Sequence, residues 1–159
     1  MAQSTRKDEL VAQLLGRLST FCDRGFALAV HIRLTRPTLL YQTYDQAWSD
    51  TYSMKGYMMH DPVVHWGLGN TGWVDWSSLT DRDPQGVLAD AVAHGLTNGW
   101  TYSVGPASSR TIAGLPRSGA PFLDAERDEM AAIVDQIHAA TEGFDGFPTD
   151  LQDRLRRLP

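Results

Sequence analysis

Residues 26–44, FALAVHIRLTRPTLLYQTY, hold two extended runs separated by a break. Phe26, Leu28, Val30, Ile32 and Leu34 alternate with smaller or polar residues, the period-two pattern of a half-buried strand. Arg36-Pro37 interrupts the pattern, since proline lacks the N–H that a ladder needs. Thr38 to Tyr44 then resumes it as a hairpin partner. Two strands joined by so short a turn run antiparallel, because a parallel pair needs a long crossover.

Working outward, Lys7 to Asp23 carries Leu10, Val11, Leu14, Leu15, Leu18 and Phe21 at helical spacing, with Gly25 as its stop. On the other side, Asp45 caps a helix bearing Trp48 and Tyr52 that fades near Gly56, and Asp61-Pro62 imposes an extended turn. Gly67, Gly69, Asn70 and Gly72 predict a loop before Trp73, Val74 and Trp76 return to an extended pattern. Asp83-Pro84 reads as a cap with proline at the first helical position; Val87, Leu88, Ala91 and Val92 form the inner face and Gly95 closes the helix. Strands follow over Gly99 to Val104 and Ser109 to Leu115, then a helix from Leu123 to Glu142 with Met130, Ile133, Val134 and Ile137 as its apolar stripe and Gly143 at its end. Strands arrive as hairpins and do not alternate with helices. The expected class is therefore α+β, an α/β/α layered sandwich with a central antiparallel sheet flanked by helices. Residues 1–145 make the domain, and 146–159 a C-terminal tail or linker remnant.

With 159 residues, 42% of them hydrophobic, the chain suits one domain with a substantial core. A net charge of -5 gives no general attraction for a polyanion such as DNA. Cys22 is the only cysteine, which excludes an internal disulfide and fits a reducing, cytoplasmic setting. The polar start MAQSTRKDEL is no signal peptide, and no run is apolar for long enough to span a membrane.

The residues that speak about chemistry follow the hairpin. Tyr44, Trp48 and Tyr52 stand at i, i+4 and i+8 and share one face if the segment is helical. Each ring has a polar tip: tyrosine donates or accepts, the indole only donates, and an ionised Asp61 only accepts. Two donors and an acceptor around an aromatic wall suit a ligand with carbonyls and one N–H. The five histidines show no H-x-x-x-H or H-x-H spacing and predict no metal site. No G-x-S-x-G elbow and no cluster of metal ligands supports a hydrolase, so the reading is a binding domain that needs no cofactor.

W-x-x-x-Y at Trp48 and Tyr52, D-P-V-V at Asp61 to Val64, the G-W-V-D-W run ending at Trp76, and the Gly95/Gly99 pair in HGLTNG come in a fixed order. In these motifs the chain resembles the autoinducer-binding domain of LuxR-type quorum-sensing regulators. The resemblance implies an N-acyl homoserine lactone as partner. It gives Trp48 to the lactone carbonyl, Tyr52 to the acyl carbonyl, Asp61 to the amide N–H, and Trp76 and Tyr44 to apolar walls. It also asks for a hydroxyl on a late strand; Thr111 in SSRTIAGLP is the nearest, while a shifted register puts Ile112 or Gly114 there. LuxR-type regulators continue into a helix-turn-helix domain, for which the tail LQDRLRRLP is too short, so no DNA contact is expected from these residues. A homodimer, or a heterodimer with a LuxR-type regulator, is the implied protein partnership. The alternatives are a layered sensor or interaction module for a different small ligand and a dominant-negative partner of a full-length regulator.

Overall fold

A computed structural model describes residues 2–158. Helix α1 (Ala2–Ser19) precedes the hairpin β1 (Ala27–Arg33) and β2 (Arg36–Gln42). Helices α2 (Gln46–Met54) and α3 (Pro62–Gly69), strand β3 (Gly72–Asp75) and helix α4 (Val87–Ala93) follow. The chain continues through β4 (Trp100–Val104), β5 (Arg110–Leu115), α5 (Asp124–Ala140) and α6 (Thr149–Arg156). The strands form one antiparallel sheet in the order β2-β1-β5-β4-β3. The α+β layered sandwich expected from the hairpins is the fold observed.

Strand alternation sorts the sheet into two faces. Leu28, Val30, Leu39, Tyr41, Trp100, Ala113 and Leu115 pack with α1, α5 and α6 in the main core. The other face meets α3 so closely that a Cβ on Gly67 would lie 2.6 Å from the Ile112 side chain, and Ser103 Oγ donates to the Gly67 carbonyl at 2.9 Å. A second cluster, centred on Trp48, Val63, Trp76 and Leu88, forms with α2, α3 and α4 beyond it.

Three local expectations are corrected. The segment predicted as loop by its glycines begins inside helix α3, which runs on to Gly69: Asp61 caps it, Pro62 starts it, and Gly67 sits in it because only a bare backbone fits against Ile112. Pro84 does not open α4. The helix begins at Val87, and Asp83 caps it from further back, accepting the Val87 and Leu88 N–H groups at 2.8 Å each. Leu34 is not an inward strand residue but a turn residue at φ +58°, 94% exposed, because β1 ends at Arg33, whose pairing with Arg36 leaves Leu34 and Thr35 as the hairpin turn. After residue 145, α6 buries Leu151 and Leu155 in the main core, and the Tyr41 hydroxyl donates to the Leu155 carbonyl at 2.8 Å.

Candidate functional site

Asp45 caps α2 by accepting the Trp48 N–H at 2.9 Å, which sets the register of the aromatic face. Trp48 is 4% exposed and meets Tyr52 edge-on, with ring centroids 5.8 Å apart. Tyr44 lies just ahead of the helix, its hydroxyl 3.4 Å from the Gly114 carbonyl.

Asp61 is at once the cap of α3 and a buried carboxylate. Its Oδ1 accepts the Val63 N–H at 2.9 Å and its Oδ2 accepts the Tyr52 hydroxyl at 2.8 Å. Burial pushes its pKa up, while the bonds from Tyr52 and Val63 pull it down; burial dominates. The Tyr52 hydroxyl is pushed up as well, first by burial and then by the Asp61 charge. About four acceptor positions exist on a carboxylate, and these two donors leave capacity for another.

Trp76 closes the cluster from the strand side. Its indole N–H donates to Thr101 Oγ1 at 2.9 Å, and its ring lies on Gly99 so that any Cβ there would overlap it. Trp76 and the Tyr44 hydroxyl both come over Gly114. Trp48 differs from Trp76: its indole N–H makes no hydrogen bond to another described residue.

Tyr44, Trp48, Tyr52, Asp61 and Trp76 thus converge, and Thr111 does not join them. Thr111 is fully buried on the opposite face, where its Oγ1 bonds His138 Nδ1 at 2.6 Å and accepts the His31 N–H at 3.1 Å. Alternation on β5 turns Ile112 and Gly114 toward the aromatic cluster instead, the outcome of the shifted register.

The histidine pair beneath Thr111 has a consequence of its own. His31 and His138 stack with centroids 4.2 Å apart, and His31 also bonds Ser109 Oγ and the His138 carbonyl. Burial, then His31, lowers the His138 pKa below 6.5. The unfolded chain therefore takes up a proton first as pH falls, so this contribution to stability is complete above 6.5 and is lost as pH drops through the folded value. The urea midpoint should fall between about pH 7.5 and about pH 5.5, and fall less in His138→Gln, because histidine titrates in that window. An equal fall in both proteins would remove His138 as the cause.

The profile of the autoinducer binding domain family matches residues 8–142, which include every one of the converging side chains. The chain belongs to this family. Autoinducer-binding domains are the receptor parts of LuxR-type quorum-sensing regulators of transcription, and they bind signals without transforming them. The fold agrees with that of Escherichia coli SdiA, at 23% identity and a TM-score of 0.66 over 88% of this chain and 62% of that one. A structure of SdiA in complex with octanoyl-rac-glycerol matches at 22% identity, TM-score 0.65, over 87% and 60%. CepR2 from Burkholderia cenocepacia, described as an N-acylhomoserine lactone dependent LuxR family transcription factor, matches at 16%, TM-score 0.61, over 96% and 98%. Comparison with curated proteins gives no match. The chain spans about three-fifths of the length of the SdiA structures, 60% and 62%.

In this autoinducer-binding domain several side chains escaped the sequence reading. Tyr57 and His94 pack on Trp48, with ring centroids 6.1 and 5.1 Å away. Tyr57 lies beyond the end of α2 and His94 beyond the end of α4, so no helical period links either to Trp48. Among the described residues no helix is long and apolar enough to cross a membrane.

Proposed function

We propose that this chain binds one N-acyl homoserine lactone between the sheet and helices α2 and α3. Trp48 donates to the lactone carbonyl, Tyr52 to the acyl carbonyl, and Asp61 accepts the amide N–H, while Trp76 and Tyr44 supply apolar walls. The observation that carries the reading is Asp61: a carboxylate 9% exposed, with two donors already in place and no cation paired with it among the described residues. Burying a carboxylate is costly, and a ligand N–H adds a charge-assisted bond that offsets part of the cost. Thr111 has no part in the proposed contacts, since its hydroxyl is committed on the other face.

Titrating the chain with lactones of graded acyl length while following thermal unfolding tests this directly. The melting temperature should climb with ligand concentration, because a ligand that binds only the folded state stabilises it by mass action. Lactone recovered intact from the complex supports binding; no shift with any chain length overturns the proposal.

A second reading has one specific support, the octanoylglycerol complex of SdiA. An acylglycerol lacks the amide but offers hydroxyl donors to Asp61. Competition between octanoylglycerol and an octanoyl lactone separates the two readings by which one is displaced.

Trp48→Phe keeps most of the wall and removes the only side-chain donor at that position. It should cost about 0.5–1.5 kcal/mol of lactone affinity, the net value of one neutral hydrogen bond. A ring-opened homoserine analogue should lose less. Equal losses for the two ligands would remove Trp48 from the lactone carbonyl.

A further inference from the structure

Because the Trp48 indole N–H has no bond to another described residue, its direction is set by the rings packed around it. Two of those rings reach one residue, Asp90: Tyr57 through its carboxylate and His94 through its backbone carbonyl. Asp90 Oδ2 accepts the Tyr57 hydroxyl at 2.7 Å and Lys55 Nζ at 3.0 Å. The Asp90 carbonyl accepts the His94 Nδ1–H at 2.8 Å, with Asp90 Oδ1 3.5 Å from the same nitrogen. Asp90 therefore ties the turn at Tyr57–Met59 and the end of α4 to each other around Trp48.

The helix dipole favours a negative charge at Asp90, in the first turn of α4. It does not explain the geometry. The side-chain bonds leave the helix for residues 33 and 35 positions away in sequence. The ion pair does not explain it either, since Lys55 is 55% exposed and such pairs contribute little. The Tyr57 hydroxyl, first among its donors, also holds Asp90 below the usual carboxylate range.

We propose that Asp90 is a positioning residue for ligand recognition, its carboxylate fixing Tyr57 against Trp48 so that the Trp48 N–H points at the lactone ring carbonyl. This rests on the lactone reading above. Asp90 touches no ligand itself; it determines how well the protein distinguishes a lactone from a ring without a carbonyl.

The test compares N-octanoyl homoserine lactone with N-octanoyl cyclopentylamide, which keeps the amide and tail but lacks the ring ester. Calorimetric titration of the full chain gives the ratio of the two affinities. Asp90→Ala should cut the lactone preference by about fivefold, on the scale of one net hydrogen bond, while cyclopentylamide affinity changes by less than about twofold. Asp90→Asn, which retains an acceptor for Tyr57, should recover most of the preference. Tyr57→Phe breaks only the tether, and should lower the preference even if Asp90→Ala does not fold. A merely structural role would weaken both ligands by one factor and leave the ratio unmoved, which overturns the proposal. A wild-type chain that binds both ligands equally also overturns it, while one that binds neither refutes the lactone reading itself.

Discussion

Asp61→Asn is expected to weaken lactone binding by about 1.5–3 kcal/mol, the range for hydrogen bonds to a charged group, while making the ligand-free fold more stable at neutral pH. The two effects have opposite signs for one reason. Burial raises the Asp61 pKa above its ordinary 3.8 more than the bonds from Tyr52 and Val63 lower it. For a group so shifted, the stabilising contribution is present below the unfolded value and is lost as pH rises through the folded one. Above the unfolded value, burial of this carboxyl group is thus a cost to the fold. Asparagine removes that cost and remains a good helix cap, so the bond to the Val63 N–H can persist. Its amide nitrogen then faces Tyr52, whose hydroxyl can reverse and accept. Toward the ligand, however, an N–H₂ meets an N–H, and the acceptor is gone. Calorimetric titration and urea denaturation of the same variant measure both quantities. A ligand-free fold that loses as much as the affinity would show that Asp61 serves only as a cap.

Gly99→Ala should destabilise the fold by about 1–3 kcal/mol, the range for forcing a methyl into packed space, and should reduce lactone binding with it. The reason is Trp76, whose ring lies on Gly99 where a Cβ would overlap it. The indole cannot slide freely, since its N–H is held by Thr101 Oγ1 at 2.9 Å and Thr101 is fully buried. Moving the ring therefore breaks that bond and displaces the wall over Gly114. Glycine is required here by close approach and not by backbone conformation: Gly99 is absent from the positive-φ glycines, whereas Gly95 stands at φ +85°. Gly95→Ala should accordingly strain the backbone at the end of α4 without touching Trp76. Near-ultraviolet circular dichroism reports the displaced indole in Gly99→Ala. An unperturbed spectrum with unchanged urea midpoint would contradict the packing described.

Much of the fold was legible because the relevant forces are local. The alternation of Leu28 and Val30, the stripe of Met130, Ile133, Val134 and Ile137, and the caps at Asp45 and Asp61 all lie within a few residues of what they determine. The failures were cases where a distant contact overruled local preference. Gly67, which favours a loop in isolation, serves in α3 because Ile112, far along the chain, leaves no room for a side chain there. Alternation was carried to Leu34 because the place of the turn is fixed by the pairing of Arg33 with Arg36 across the hairpin. In residues 146–159, Leu151 and Leu155 likewise have meaning only against the main core, where both are buried.

The candidate site divides in the same way. Sequence alone determined the residue types and order around Tyr44, Trp48, Tyr52, Asp61 and Trp76, since one helix, one cap and one strand end supply them. It also determined that the pattern is that of an autoinducer-binding domain. Only the tertiary structure decided that Thr111 faces His138 and Gly114 faces Trp76, because a one-residue change of register reverses every side chain on a strand. It alone brought Tyr57, Asp90 and His94 around Trp48, because contacts between separate elements are written in how the elements pack and not in the spacing within any of them.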